Sequence, residues 1–128
     1  MDPVSAAIVT GLAAGVAGGA TDVGQKLIID AYDALKAALK QKFGADSDVV
    51  EAVEYLEKKP EVPARQAGVE EEVKAAKADA DPDVVAAAQT VLDALKKTPE
   101  GQQALSKYQI DAKNAQIGVI GDNAKIEG

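Results

Sequence analysis

The 128-residue chain has no histidine, no cysteine and no tryptophan, and its aromatics are limited to one phenylalanine and three tyrosines. Without histidine or cysteine it lacks the usual general base, the thiol nucleophile and the common zinc ligands, which argues against an enzyme and against a metal centre. No disulfide can form, so cysteine usage leaves the redox compartment open. The scarcity of aromatics means that a core has to be assembled from Ala, Val, Leu and Ile on closely approaching helices. Also missing is the basic start of a secretory signal, because Asp2 is the only charge before Thr21. The expected location is therefore the cytoplasm.

Length permits one domain with a modest core. The formal charge of -7 is concentrated in residues 46–83, where twelve acids face five bases, and both flanks balance to zero. No basic stripe is present to neutralise phosphates, so nucleic acid is not an expected partner.

The hydrophobic pattern is helical for most of the chain. Residues 3–21 carry no charge, and Val4, Ile8, Val9, Leu12 and Val16 recur at helical intervals, which predicts a first helix from Pro3 to Thr21. A second begins at Asp22, with Leu27, Ile28, Ala31, Leu35, Ala38 and Leu39 as its apolar stripe and Gly44 as its stop. The third runs through "DSDVVEAVEYLEKKP", with an Asp/Ser cap and a proline end. A weaker fourth is expected in "EEEVKAAKADA", around Val69 and Val73, after a proline-containing link. The fifth opens with Asp81 as cap and Pro82 at its first position, and Val84, Val85, Ala88, Val91, Leu92 and Leu95 line one side of it. Thr98-Pro99 repeats that signal and can start one further short helix, "EGQQALSKY".

The pattern changes at about Gln109. In "AQIGVIGDNAKIEG" the β-formers Ile117, Val119, Ile120 and Ile126 are punctuated by Gly118, Gly121 and Asp122-Asn123, which fits two short strands about a turn. With Gln116 and Asn123 available for amide ladders and no proline, the stretch has the ingredients of a steric zipper. One isolated arch buries too little to persist, so stacking of copies is implied.

Two other patterns lead nowhere. Asp79, Asp81 and Asp83 alternate as at the start of a calcium loop, but Val84 stands where glycine is required and Thr90 where the closing glutamate belongs. Gly24-Gln25-Lys26 follows no strand and lacks phosphate-loop spacing. No cofactor is expected.

In the first helix Gly11, Gly15 and Gly19 are four apart and form a smooth strip for close backbone approach. A helix over residues 3–21 would be roughly 28 Å long, near the hydrocarbon thickness of a bilayer. Its five branched aliphatic residues contribute only about -1.5 to -3 kcal/mol to insertion, so entry would require several copies packed through the strip. The same features suit a tightly packed central helix of a soluble bundle. The two readings agree if the helix is buried in the monomer and released later.

Gln116-Ile117-Gly118 resembles the core of the RIP homotypic interaction motif, with Asn123 as the downstream asparagine. Ala115 departs from the family's branched residue, and the spacing to Asn123 is longer than usual. The whole chain is similar to bacterial amyloid-signalling proteins, in which such a motif follows a helical Bell domain, the counterpart of fungal HeLo and HELL domains. The resemblance implies a NOD-like receptor with a matching motif that templates the tail into fibrils, and a helical domain that attacks membrane lipids.

The resulting expectation is an all-α bundle of about five helices over 1–106 and an amyloid-forming tail over 107–128. It would execute regulated cell death and relocate to the cell membrane on activation. Gly11, Gly15 and Gly19 would serve helix association, and Ile8, Leu12 and Val16 lipid contact. Gln116, Ile117, Gly118, Val119, Ile120, Gly121, Asp122, Asn123 and Ile126 would form the fibril. The alternatives are a soluble helical adaptor clustered by its tail, and a tail that adds a strand to a partner's sheet.

Overall fold

A computed structural model describes residues 2–16 and 23–108, without the side chains of residues 16 and 23–25. The β-arch expected at the C-terminus, Gly19 and the side chain of Val16 lie outside the described residues. Among those described there are six α-helices and no strand. The architecture is all-α, and the sixth helix is the short one that Thr98-Pro99 announces.

Each helix starts and stops for a local reason. Helix α1 (Pro3–Gly11) begins at Asp2, whose carboxylate accepts the Ser5 backbone N–H and the Ser5 hydroxyl, both at 2.8 Å. It runs into a π-helical turn, Leu12–Val16. Helix α2 (Val23–Phe43) ends at Gly44, whose φ of 101° is accessible to glycine without strain. Helix α3 (Asp48–Lys58) is capped by the Ser47 hydroxyl, which accepts the Val50 N–H at 3.4 Å. Helix α4 (Pro63–Ala76) starts from Val62 with no side-chain cap and leaves through Lys77 in the left-handed region, φ 59°. A single 3-10 turn (Ala78–Ala80) leads to α5 (Pro82–Lys96), where Asp81 accepts the N–H groups of Asp83 and Val84. This cap accounts for the aspartate cluster. Helix α6 (Pro99–Lys107) is capped by Thr98, whose hydroxyl accepts the Gly101 N–H at 2.9 Å.

The core is arranged around α1. All nine of its residues are buried, and it packs on α5 and, less extensively, on α2, α4 and α6. Helices α2 and α5 pack closely on each other and support it, while α3 lies mainly on α4. Ile28, Leu35, Leu39, Leu56, Leu92 and Leu95 are fully buried. Each contributes about 1.5 to 3 kcal/mol of transfer free energy.

Three expectations are corrected. The first apolar stretch does not continue as one α-helix from Pro3 to Thr21, because the backbone widens to π geometry at Leu12 as it settles against α2. Leu27 is not part of the α2 stripe: it is 43% exposed, and the buried row is Ile28, Ala31, Tyr32, Leu35 and Leu39. Leu27 lies about 100° around the helix from Ile28 and falls outside that face. The fourth helix starts at Pro63, earlier than expected, because Pro63 occupies a first-turn position where its missing N–H costs nothing.

Candidate functional site

The sequence directs attention to α1, and the structure places it at the bundle centre. Ile8 is 1% exposed and Leu12 2%. In this folded state both are core residues, and neither faces outward. The two polar side chains inside α1 are satisfied locally: the Thr10 hydroxyl donates to the Ala6 carbonyl, and Ser5 donates to Asp2. A nine-residue helix can thus be buried on all sides with no charge and no orphaned hydroxyl.

The glycines on this segment are already in use within the monomer. A Cβ on Gly11 would lie 3.3 Å from a Val91 methyl and 3.4 Å from the Tyr32 ring. A Cβ on Gly15 would lie 3.2 Å from Ile29 and 3.3 Å from Ile28. At Gly11 and Gly15 the strip that the sequence offers to another backbone is filled by side chains of α2 and α5.

Where α1 passes into the π turn, a half-open cavity of about 310 Å³ is lined by Gly11, Leu12, Ile29, Tyr32, Asp33, Lys36 and Glu57. Its floor is apolar and its rim is polar. π turns recur at functional positions in helices, and this one borders the cavity. Across the rim, the Tyr32 hydroxyl donates to Glu57 Oε2 at 2.5 Å and the Lys36 ammonium donates to Glu57 Oε1 at 2.9 Å. Lys36 also approaches Glu54 Oε2 at 3.7 Å. Glu57 therefore uses both carboxylate oxygens to join α3 to α2. Burial, the hydrogen bond to Glu57 and the neighbouring charges of Glu57, Asp33 and Glu54 push the Tyr32 phenol well above its ordinary value. Tyr32 is held neutral as a hydrogen-bond donor.

A second ionic contact ties the end of α2 to the start of α5. Lys42 Nζ lies 2.8 Å from Asp83 Oδ2 and 4.0 Å from Asp81 Oδ2. The hydrogen bond to Asp83, followed by the Asp81 and Asp83 charges, raises the Lys42 pKa. No group of His, Cys, Asp and Glu able to hold a metal ion occurs among the described residues. Among them, no helix is long and apolar enough to cross a membrane.

Of the residues expected to act, Ile8, Gly11, Leu12 and Gly15 come together at the α1 and π segment. Gly19, the Val16 side chain and all of Gln116–Asn123 and Ile126 lie outside the described residues. Sequence reading missed Tyr32, Lys36 and Glu57. A signal was present, in that Tyr32 and Lys36 are four apart on one helix face, but their partner is 25 and 21 residues away.

The fold and this buried, uncharged hub define an all-α domain built around a sequestered apolar helix. The chain belongs to the family described as the Het-E N-terminal domain, whose match runs from residue 1 to residue 128. That family is linked to fungal-type cell-death signalling. No match was found among curated proteins or among solved structures.

Proposed function

We propose that this protein is a cell-death effector whose helical domain acts on membranes after its C-terminal motif is templated into a fibril by a receptor carrying a matching motif. The observation that carries the reading is α1, nine residues without a charge and every one buried at the centre of the bundle. Such a segment is stable only under cover, and a change that uncovers it presents an apolar, small-residue surface to lipid or to another copy. The whole-chain match to a family linked to cell-death signalling supports the same role. Gln116-Ile117-Gly118 and Asn123, with their resemblance to the RIP homotypic interaction motif, support the templating step.

The rival reading is a soluble helical adaptor, favoured by the internal use of Gly11 and Gly15 and by the shortness of α1. One experiment separates them. The full chain is mixed with dye-loaded vesicles containing anionic lipid and seeded with preformed fibrils of a 109–128 peptide. The effector releases dye as fibrils grow, and seeding with an Ile117→Lys, Val119→Lys peptide does not trigger release. Fibril growth without leakage leaves the adaptor.

A further inference from the structure

Neither the packing of the bundle nor an action on membranes accounts for the half-open cavity beside α1. Its volume of about 310 Å³ is at the lower end of the range, about 300 to 1,000 Å³, of pockets that take small organic molecules. A partner helix, about 10 Å across, does not fit in that space, so its occupant is one small molecule. Gly11, Leu12 and Ile29 supply the apolar floor. At the mouth the Tyr32 hydroxyl is joined by Asp33, Lys36 and Glu57.

The charges at the mouth decide what chemistry it accepts. Lys36 is already engaged: its ammonium donates to Glu57 at 2.9 Å and lies 3.7 Å from Glu54, so it is not open to an anion. Asp33, by contrast, is exposed and makes no ion pair among the described residues. Its carboxylate is close enough for its charge to act on the Tyr32 phenol. The three carboxylates of Asp33, Glu54 and Glu57 outnumber the one ammonium of Lys36. This local excess of negative charge repels phosphates and fatty carboxylates and attracts organic cations. Each Glu57 oxygen keeps a second lone pair beyond the bonds from Tyr32 and Lys36, so an incoming N–H finds acceptors on both α2 and α3.

We infer that this cavity is a binding site for a small amphiphilic cation, a protonated primary amine on an alkyl or aromatic body. The body lies on Leu12 and Ile29, and the ammonium is held by Asp33 and Glu57. Such an amine is charged at neutral pH, as a lysine side chain is. The open mouth lets the ammonium keep part of its hydration, which spares it the desolvation that a closed cavity would impose. A molecule seated there touches α1, the π turn, α2 and α3 together, so its binding favours the bundle in which α1 is covered. The site itself does not depend on the membrane reading.

Three probes of equal chain length separate charge from hydrophobicity: octylamine, octanol and octanoate. Each is titrated at pH 7 into the full unassembled chain, and the amide shifts are followed by heteronuclear magnetic resonance. Octylamine is expected to saturate and to move the signals of Gly11, Leu12, Ile29 and Asp33. Contact with one partly exposed carboxylate contributes up to about fivefold, so octylamine should bind on the order of tenfold more tightly than octanol, with octanoate weakest. Asp33→Asn changes an exposed residue outside the core, and should weaken octylamine about three- to fivefold while leaving octanol unchanged. Asp33→Lys should abolish the preference for octylamine over octanoate. Octanol binding as tightly as octylamine, octanoate binding best to the unaltered chain, shifts confined to other residues, or octylamine indifferent to Asp33→Asn would each overturn the site.

Discussion

Helices α1 and α4 are both without a sharp apolar stripe, for opposite reasons. Helix α1 is apolar or small all the way round, and its nine residues are all buried. Helix α4 has small, charged and amide side chains on most of its surface and buries only Val69 and Val73. A helix uniform in character has no preferred face, so its position is decided by hydrophobicity alone: one goes to the centre, the other to the rim. Their starts differ in the same sense, since Asp2 caps α1 with two hydrogen bonds while Val62 gives α4 none. The comparison teaches that the segment expected to meet lipid is the best protected in the folded state, and that part of its protection comes from a helix that buries only two side chains of its own.

Charge insertion should give the largest contrast. Ile8→Lys buries an ammonium with no partner in α1 and is expected to cost more than about 4 kcal/mol, enough to unfold the domain. Ala67→Lys on the exposed side of α4 should change stability by less than about 0.5 kcal/mol. Urea unfolding followed by circular dichroism reads both, and similar losses would abolish the distinction between centre and rim.

Next in size is Gly101→Ala in α6. A Cβ there would fall 2.1 Å from the Leu95 carbonyl oxygen and 2.6 Å from the Leu95 Cα. Both are backbone atoms, so neither can step aside by rotating. The expected loss is about 3 kcal/mol by the same measurement. A near-neutral result would mean that α6 is not seated on the end of α5 as described.

Alkaline pH sharpens the comparison at the contact between Tyr32 and Glu57. The Tyr32 phenol is neutral in both folded and unfolded chains below its ordinary pKa, so its contribution is fully present there. Above about pH 10 the unfolded phenol ionises while the folded one resists, and stability falls by about 1.4 kcal/mol per pH unit from this group. Ultraviolet titration of the three tyrosines should show one late phenol, and Tyr32→Phe should remove it. If the late phenol survives that substitution, Tyr32 is not the buried donor.

The smallest effects concern the two helix starts. Asp2→Ala removes the cap of α1 and should cost about 1 kcal/mol, whereas Val62→Ser, which supplies a cap that α4 lacks, should cost nothing or gain up to about 1 kcal/mol. Thermal melts resolve the sign. Equal losses would show that Val62 matters through its partial burial instead.

Much of the helical order was legible in local chemistry. Ser47, Asp81-Pro82, Thr98-Pro99 and Gly44 mark boundaries because capping and left-handed turns depend on neighbours a few residues away. Lys77 was not legible, because a non-glycine residue enters the left-handed region only when the packing of α4 and the following turn requires it. Leu27 was misread because a stripe of apolar residues does not reveal which of its edges has a neighbour. The glycine series suited either another chain or the inside of a tightly packed bundle; in the folded chain its first two members receive Val91, Tyr32, Ile28 and Ile29.

The sequence by itself determined an all-α body, the places where most helices begin and end, the lack of histidine and cysteine chemistry, and an uncharged first helix that has to be covered. These follow from composition and from interactions spanning one turn of helix. Only the tertiary structure decided what covers that helix, that Gly11 and Gly15 are filled from α2 and α5, that its ladder widens at Leu12, and that Glu57 reaches Tyr32 and Lys36. The reason is physical: pairing between residues more than twenty positions apart depends on how helices pack, and the hydrophobic pattern that drives packing is non-directional. It specifies that a face is buried and leaves the choice of partner to the whole fold.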